Sequence, residues 1–363
     1  MPAAARSQYG EISTLLYYKA VKVDTKLTWS NDGKASIGDF AERGRAAQAA
    51  GYHGLWSAES AHDPFLPLVA AAHDTSTLEL GTAIAVAFAR SPMTLAYTAY
   101  DLQTLSGGRF LLGLGSQIRS HIERRFDMPW SQPARRMREY IEAMRAIWSA
   151  WATGERLDFR GDFYNHTLMT PFFSPPPSPW GPPAVYLAAV GEHMTEVAGA
   201  VCDGLLPHPF TTDRYLRERT LPAIERGLAD SGRSLEKFSV SLSGLIASGK
   251  TEEQMAVAIR RVREQIAFYG STPAYYPVLE LHGWGDLGHQ LTAVSRSDAD
   301  DRWTRMGDLI DDDMLAAFAI IAEPDRLGAA IAERYGDVVD RFNFYAPYEH
   351  DADLWTSAIE YLS

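Results

Sequence analysis

Eight short runs rich in β-branched and apolar residues alternate with helical segments along almost the whole of this 363-residue chain. No serine- or glycine-rich linker and no change in composition interrupts the alternation. Strands that alternate with helices build parallel sheets, because each helix carries the chain back to the edge where the next strand starts. Eight such units favour a closed (β/α)8 TIM barrel over an open doubly wound sheet. The predicted strands begin at Val21, Gly54, Leu78, Arg109, Ala184, Gly204, Phe238 and Val338.

Two of the predicted helices carry a regular apolar stripe. Apolar residues that recur at spacings of three and four line one face of a helix, and that face packs against the barrel. The stripes are Met137, Ile141, Met144, Trp148 and Trp151 in the first helix, and Met255, Ile259, Val262, Ile266 and Tyr269 in the second.

One segment breaks the alternation. We therefore predict a single domain over residues 1–363 with an insertion at about 270–308. Long segments of this kind usually form lids or pocket walls. Tyr269, Ser271, Thr272 and Tyr275 are the candidate wall for a substrate.

Composition excludes several classes of function. The net charge of -12 argues against nucleic acid, which needs clustered Lys and Arg. The single cysteine, Cys202, excludes an intramolecular disulfide and a thiolate metal cage, and it fits a reducing cytoplasm. No run of 18 apolar residues occurs and residues 1–18 lack the pattern of an export signal, so we expect a cytoplasmic protein without a membrane span.

In a barrel of this kind the functional residues follow the strands, at the carboxyl end. The residues at these positions are candidates for the site. They are Thr28 and Trp29; Glu59, Ser60 and His62; residues 83–86; residues 113–117; residues 189–193; His208; Ser243; and Tyr345.

Two of the loops could contact an anion or a flat ring. One is "GLGSQ", residues 113–117, and in the other Val190, Gly191 and Glu192 lead directly into a helix whose free N–H groups can face a phosphate. Both glycines could instead serve only to turn the chain. Neither loop has the lysine of a Walker A motif or the GxGxxG spacing, so the residues leave both readings open.

An acid and an imidazole follow the second strand. Glu59 and His62 could exchange protons with a substrate, although Asp63 before Pro64 is also a typical helix cap. The remaining histidines lack HxH or HExxH spacing, so we predict no metal and find little support for a metal-dependent hydrolase.

Longer stretches resemble a known family. "AAQAAGYHGLWSAESAHDPF" with "LELGTAIAVAFARSPMTLAYTAYDLQTLSGGRFLLGLGSQ", and "WSAWATGERLDFRGDFYNHTLMTPFF" with "VYLAAVGEHMTEVAGAVCDGLL", are similar to the luciferase-like family of flavin and deazaflavin oxidoreductases. The resemblance runs from about residue 21 to 345. It looks closest to the branch that uses coenzyme F-420, an 8-hydroxy-5-deazaflavin.

The resemblance implies a barrel that holds the cofactor ring at its carboxyl mouth. It implies a bulge after the third strand, with a non-prolyl cis peptide at Ala83–Ile84 beside Ala85, and a ring pocket edged by residues 113–117. It also implies a phosphate loop after the fifth strand. The implied cofactor-binding residues are Ala83, Ile84, Ala85, Gly113, Gly115, Ser116, Ala189, Val190, Gly191, Glu192 and His193.

This chain departs from the pattern of the members that oxidise sugar phosphates. They carry an acidic residue followed directly by His, where this chain has Glu59 and Ser60, with His62 as the nearest imidazole. They also carry a Glu where this chain has Gln117 and Ile118, so a sugar phosphate is disfavoured.

The expected reaction is hydride transfer between coenzyme F-420 and a small organic substrate. A deazaflavin supplies the hydride chemistry, so the protein need only orient donor and acceptor. Glu59 and His62 are the hypothesised groups that move a proton or position the substrate, and Gln117 is a hydrogen-bond donor to ring or substrate. The alternatives are an FMN-dependent monooxygenase and a barrel that binds a flavin or deazaflavin without turnover. Barrels of this family often pair, so a homodimer is possible.

Overall fold

Eight parallel strands close into a barrel in the computed structural model, which describes residues 20–29 and 34–363. The predicted (β/α)8 barrel is confirmed, whereas the expectation of no export signal concerns residues outside the described ones. The barrel strands are β1 (Lys22–Leu27), β2 (Gly54–Ser57), β3 (Glu79–Thr82), β4 (Phe110–Gly115), β5 (Ala184–Ala189), β6 (Gly204–Pro207), β7 (Ser239–Ala247) and β8 (Arg341–Tyr345).

The first and last strands pair directly and close the sheet. Lys22 of β1 is in register with Arg341 of β8, and β1 also pairs with β2. Each remaining strand pairs with its neighbours in chain order, and β7 pairs with both β6 and β8. Closure leaves the eight-stranded ring without a free edge, which removes a site for unwanted strand pairing.

Four short strands were not predicted as separate elements. Ala85–Val86 pairs with β4, and Ala319–Ile321 pairs with the carboxyl-terminal end of β7. Phe159–Arg160 and Asn165–His166 form a small antiparallel hairpin. Two- and three-residue strands leave no periodic signal in a sequence, so only pairing in the folded chain defines them.

Helices surround the barrel, and short 3₁₀ turns occur in the connections. The helices are Ile37–Ala49, Leu66–Asp74, Pro92–Leu105, Arg119–Arg124, Pro133–Thr153, Glu192–Val201, Asp213–Tyr215, Leu221–Asp230, Glu252–Gly270, Tyr276–Leu281, Gly285–Ser295, Arg302–Gly307, Asp312–Phe318, Pro324–Tyr335 and Thr356–Leu362, with a π-helical turn at Leu216–Thr220 and 3₁₀ turns at Ala87–Ala89, Pro171–Phe173, Leu235–Lys237, Pro273–Tyr275 and Ala352–Trp355.

Both predicted apolar stripes face the interior. All five stripe residues of the helix Pro133–Thr153 are buried, and Val262 and Ile266 of the helix Glu252–Gly270 are buried as well. Thr251 caps the second helix by accepting a hydrogen bond from the Gln254 N–H at 3.2 Å. Within the described residues, no helix is both long and apolar enough to cross a membrane.

The segment predicted as an insertion is helical. Two of its helices, Gly285–Ser295 and Arg302–Gly307, pack beside the helix Glu252–Gly270, and the helix Tyr276–Leu281 packs against Gly285–Ser295. They bury their own group of apolar side chains, and Phe210 links this group to the loop after β6. The segment therefore extends the barrel wall above β6 and β7.

A buried ion network fills the lower interior of the barrel. The Arg341 guanidinium donates to both oxygens of Asp24, at 2.7 and 2.8 Å, and to Glu79 Oε2 at 2.5 Å. Trp56 Nε1 donates to Asp24 at 2.8 Å, and Lys22 Nζ pairs with Glu79 at 2.9 Å. Burial raises the pKa of Asp24, although Arg341 and Trp56 act in the opposite direction. These bonds join β1, β2, β3 and β8 at the point where the barrel closes.

Arg341→Met should destabilise the protein strongly, because it leaves the Asp24 carboxylate buried without its counter-ion. We expect the free energy of unfolding, measured by urea denaturation, to fall by about 3–5 kcal/mol. Arg138→Met is the control, because Arg138 pairs with Glu142 on the surface, where a change stays within about 0.5 kcal/mol. Equal losses for the two variants would contradict the closing role of Arg341.

Candidate active site

A cavity of about 390 Å³ opens at the carboxyl mouth of the barrel. All eight barrel strands or the loops that follow them contribute to its lining, together with one tyrosine of the helical segment. The lining residues are Lys26, Trp56, Ala83, Ile84, residues 115–118, residues 188–190, residues 206–209, Ser241, Ser243, Tyr275 and Asn343.

The loop after β3 forms one side of the cavity. The peptide bond between Ala83 and Ile84 is cis, as the resemblance implied, and both residues line the cavity. Gly115 lies against Ile84 so closely that an added Cβ would stand 2.8 Å from the Ile84 side chain. Ala85 is fully buried in the barrel wall and does not line the cavity.

The loop after β4 holds two further predicted residues at the cavity. Ser116 and Gln117 both line it, and Gln117 adopts a left-handed backbone conformation with φ of 58°. Gly113 lies deeper, where its backbone exchanges hydrogen bonds with Thr82 Oγ1 at 2.7 and 3.0 Å. Gly113 therefore serves wall packing, and Gly115 to Gln117 edge the cavity.

Glu59 secures the loop after β3 instead of lining the cavity. Its N–H donates to the Ile84 carbonyl oxygen at 3.0 Å. Its Oε2 accepts from the Val86 N–H and from Arg90 Nη1, both at 2.7 Å. The side chain is only 8% exposed, so these bonds hold the carboxylate within the protein wall, against the loop after β3.

His62 also lies outside the cavity lining. Its exposed ring stacks on Trp29 with centroids 4.1 Å apart. The neighbouring Asp63 accepts from the N–H groups of Phe65 and Leu66, at 2.8 and 3.1 Å, just before the helix Leu66–Asp74, whose N-cap position is Phe65. Asp63 therefore satisfies N–H groups at the helix start, although the helix begins two residues later than the Asp63–Pro64 cap expected from the sequence. The structure does not bring Glu59 and His62 together at the cavity.

The loop after β5 is divided between two surfaces. Ala189 and Val190 line the cavity, whereas Gly191, Glu192 and His193 line an adjoining groove of about 660 Å³. Gly191 precedes the helix Glu192–Val201, and no side chain of the described residues caps the first N–H groups of that helix. Free N–H groups at a helix start favour an anion. Glu192 is held aside by an ion pair with Arg226.

His208 and Tyr275 form a hydrogen-bonded pair on the wall opposite Trp56. The Phe210 N–H donates to His208 Nδ1 at 3.0 Å, so the ring proton lies on Nε2 and donates to Tyr275 Oη, 3.0 Å away. Burial lowers the pKa of His208 to about 4, so the ring is neutral near pH 7. Tyr275, which burial also keeps protonated, can direct its own O–H into the cavity.

Lys26 brings a cation into the cavity. Its Nζ lies 4.3 Å from the centroid of the Tyr345 ring, and the Tyr345 hydroxyl is 2.9 Å from the Tyr269 hydroxyl. Solvent reaches Lys26 through the cavity, yet desolvation by the surrounding protein lowers its pKa to about 8.

Sequence reasoning missed the lining residues that lie within strands. Lys26, Trp56 and Asn343 precede the strand ends at which candidates were sought. One signal was present: Asp24 and Lys26 are two residues apart, so they share a strand face, and that face points into the barrel. In the described part of the chain, no three His, Cys, Asp or Glu side chains form a group that could hold a metal ion.

Comparison with known proteins gives consistent matches along the chain. The model of the luciferase-like monooxygenase family matches residues 21–341. An uncharacterized protein of Mycobacterium tuberculosis is 54% identical over 303 residues, which cover 82% of this chain and 88% of that protein.

More distant matches have defined activities. The 5,10-methylenetetrahydromethanopterin reductase of Archaeoglobus fulgidus is 26% identical over 273 residues, 74% of each chain. Among solved structures, the coenzyme F-420-dependent tetrahydromethanopterin reductase of Methanopyrus kandleri superposes with a TM-score of 0.73 at 22% identity. That match covers 94% of this chain and 97% of the other, and it shows the shared fold.

Glu59→Ala should destabilise the protein, because Arg90 and the Val86 N–H lose the carboxylate that both contact. Hydrogen bonds to charged groups contribute about 1.5–3 kcal/mol, and we expect a loss of that size in urea denaturation. Glu123→Ala, which removes an exposed ion pair with Arg119, is the control and should change stability little. A Glu59→Ala protein as stable as the wild type would show that Glu59 does not secure the loop after β3.

Acid should weaken the fold partly through His208. Its pKa is lowered from 6.5 to about 4, so below about pH 6.5 the unfolded chain binds a proton that the folded protein excludes. The free energy of unfolding should therefore fall as the pH drops from about 6.5 to about 4, and His208→Gln should flatten that fall. His121→Gln, which removes an exposed histidine whose side chain forms no hydrogen bond or ion pair with the described residues, should leave the profile unchanged. Identical profiles for wild type and His208→Gln would disprove this.

Proposed function

Because this chain belongs to the luciferase-like monooxygenase family, we propose that it binds coenzyme F-420 at the barrel mouth and transfers a hydride between that cofactor and a small organic substrate. Two observations from the comparisons support the choice of cofactor. The tetrahydromethanopterin reductase of similar fold depends on coenzyme F-420, and other relatives at 26–28% identity carry that dependence in their names.

The shape of the cavity carries the proposal. Its β3–β5 side is built from small residues, namely Ala83, Gly115, Ala188 and Ala189, beside the Ile84 side chain. Small residues leave room for a flat ring to lie against the wall, and about 390 Å³ falls within the range of about 300–1,000 Å³ typical of small-molecule sites. The donors present are uncharged groups and one lysine, a set that suits the polar edge of a heterocycle.

With the cofactor ring on the β3–β5 side of the cavity, here called the ring bed, the anionic tail of the cofactor would extend along the loop after β5. Val190 lines the cavity and Gly191 begins the adjoining groove, so the two surfaces meet at this loop. The uncapped start of the helix Glu192–Val201 offers N–H groups there. An added Cβ at Gly191 would meet nothing within 4 Å, so there is open space above the backbone for a phosphate.

The chain's own residues orient the reaction in this proposal. When bound, a deazaflavin supplies the hydride chemistry. Glu59 holds the ring bed by fixing the loop after β3. Tyr275, whose hydroxyl oxygen accepts from His208, offers its proton to a substrate oxygen. Both residues lie in the protein's walls before any ligand arrives, which reduces the entropy lost on binding.

A side-by-side titration tests the choice of cofactor. We expect coenzyme F-420 to bind more tightly than FMN, followed through its fluorescence, with FMN followed through its own absorption. Gly115→Ala pushes the Ile84 side chain toward the cavity, and overpacking of about 1–3 kcal/mol corresponds to binding that is weaker by about fivefold to a hundredfold.

Gly38→Ala is the matched control, since an added Cβ there meets only ordinary contact at 3.6 Å and Gly38 does not line the cavity. Tighter binding of FMN would replace the proposal with the monooxygenase alternative. Failure of both cofactors to bind would overturn it, and binding without turnover of any acceptor would favour a binding barrel.

A further inference from the structure

Charged residues alternate along the inner face of β1. Lys22, Asp24 and Lys26 are two residues apart, so all three point into the barrel. Lys22 pairs with Glu79 at 2.9 Å and Asp24 pairs with Arg341 at 2.7 Å. At the carboxyl-terminal end of this series, Lys26 forms no hydrogen bond or ion pair with the residues that the structure describes, and its Nζ lies over the Tyr345 ring.

Two polar residues on the adjoining strands share this wall. Ser243 of β7 and Asn343 of β8 are neighbours in register, and both line the cavity with Lys26. The Ser243 hydroxyl is buried and, among the described residues, has no hydrogen-bond partner. A buried polar group without a partner is costly, so a ligand that satisfies it gains binding free energy.

The order of strands places this wall opposite the proposed ring bed. In a closed ring of eight strands, β7, β8 and β1 stand across the barrel from β3, β4 and β5. The small residues of the bed and the unpartnered donors therefore face each other across one cavity. A substrate between them would lie on the ring with its polar end toward the donors.

We propose that Lys26 Nζ and Ser243 Oγ form a subsite for the carboxylate of a small, otherwise apolar substrate. The proposal rests on the proposed function, because it takes the β3–β5 side to be occupied by the cofactor ring. Among the described residues that line the cavity, Lys26 is the only Lys or Arg, so one negative charge matches it. Trp56, Ile84 and Leu206 provide apolar surface for the remainder of the substrate.

The subsite explains why a lysine whose charge is disfavoured by its surroundings lies at this position. Desolvation lowers the pKa of Lys26 to about 8, which means that the surrounding protein disfavours its charge. A bound carboxylate would restore a partner at low local dielectric, where charge-assisted hydrogen bonds are strong.

The other titratable groups around Lys26 keep one charge state near neutral pH. His208 stays neutral because its pKa is about 4, and burial raises the pKa of both Tyr275 and Tyr345. Beneath the cavity, the charges of Asp24 and Arg341 compensate each other. A change in carboxylate binding between about pH 7 and 9 would therefore report on Lys26.

Matched pairs of a carboxylate and its amide test the subsite on the full-length protein. The probes are benzoate with benzamide, and phenylacetate with phenylacetamide, titrated calorimetrically with and without coenzyme F-420. We expect the wild type to bind each carboxylate at least about tenfold more tightly than its amide, because only the carboxylate gains a charge-assisted bond. This preference should decline above about pH 8, where the free Lys26 loses its proton.

Three variants separate charge from shape. Lys26→Met should abolish the preference, Lys26→Arg should retain most of it, and Ser243→Ala should weaken it severalfold. Lys237→Met, which removes an exposed lysine outside the cavity, should behave like the wild type. Thermal unfolding checks that each variant is folded. Because Lys26 carries an unpaired charge, Lys26→Met should be at least as stable as the wild type.

The results distinguish this subsite from the proposed function. No carboxylate preference in the wild type, or the same preference in Lys26→Met, would overturn the subsite even if coenzyme F-420 binds. A preference that depends on Lys26 in a protein that binds neither coenzyme F-420 nor FMN would support the anion subsite and overturn the proposed function. Weaker coenzyme F-420 binding in Lys26→Met, with no carboxylate preference in the wild type, would assign Lys26 to the cofactor instead.

Discussion

The ion network around Arg341 is the constraint on which the rest of the structure depends. It joins the last barrel strand to β1 and β3, and through Trp56 to β2. Because the Arg341 and Asp24 side chains are buried, their charges hold the closing strands in one register. Trp56 also lines the cavity, so the network that closes the barrel forms the floor on which a ligand rests.

Above this floor the two halves of the cavity differ in chemistry. The β3–β5 side presents small residues and backbone, and Glu59 fixes its central loop from behind. The β7–β8–β1 side presents Lys26 Nζ and Ser243 Oγ, two donors without a hydrogen-bond partner among the described residues. This asymmetry suits two ligands that lie face to face, because one half offers a surface and the other offers charge and hydrogen bonds. Tyr275 closes the cavity from the helical segment, with His208 holding its hydroxyl.

The strand ends were predictable, but the roles of the side chains there were only partly so. Residues 115–117, Ala189 and Val190 followed predicted strands, and all of them line the cavity. Glu59 also followed a strand, yet its carboxylate turns to Arg90 and the Val86 N–H. A sequence shows that an acid is near the mouth, but it does not show which cation thirty-one residues later will reach that acid.

The sequence by itself determined the barrel, its eight strands and the buried faces of its helices, because hydrophobic periodicity is local and every strand and helix carries its own pattern. Only the tertiary structure decided which polar residues face the cavity and which of them have a partner among the described residues. Lys22, Asp24 and Lys26 are charged residues at alternate positions of one strand. Lys22 and Asp24 have ion-pair partners because Glu79 and Arg341, which lie far away in the chain, reach them in the folded barrel. Pairing across such distances depends on closure of the barrel, which no local pattern encodes.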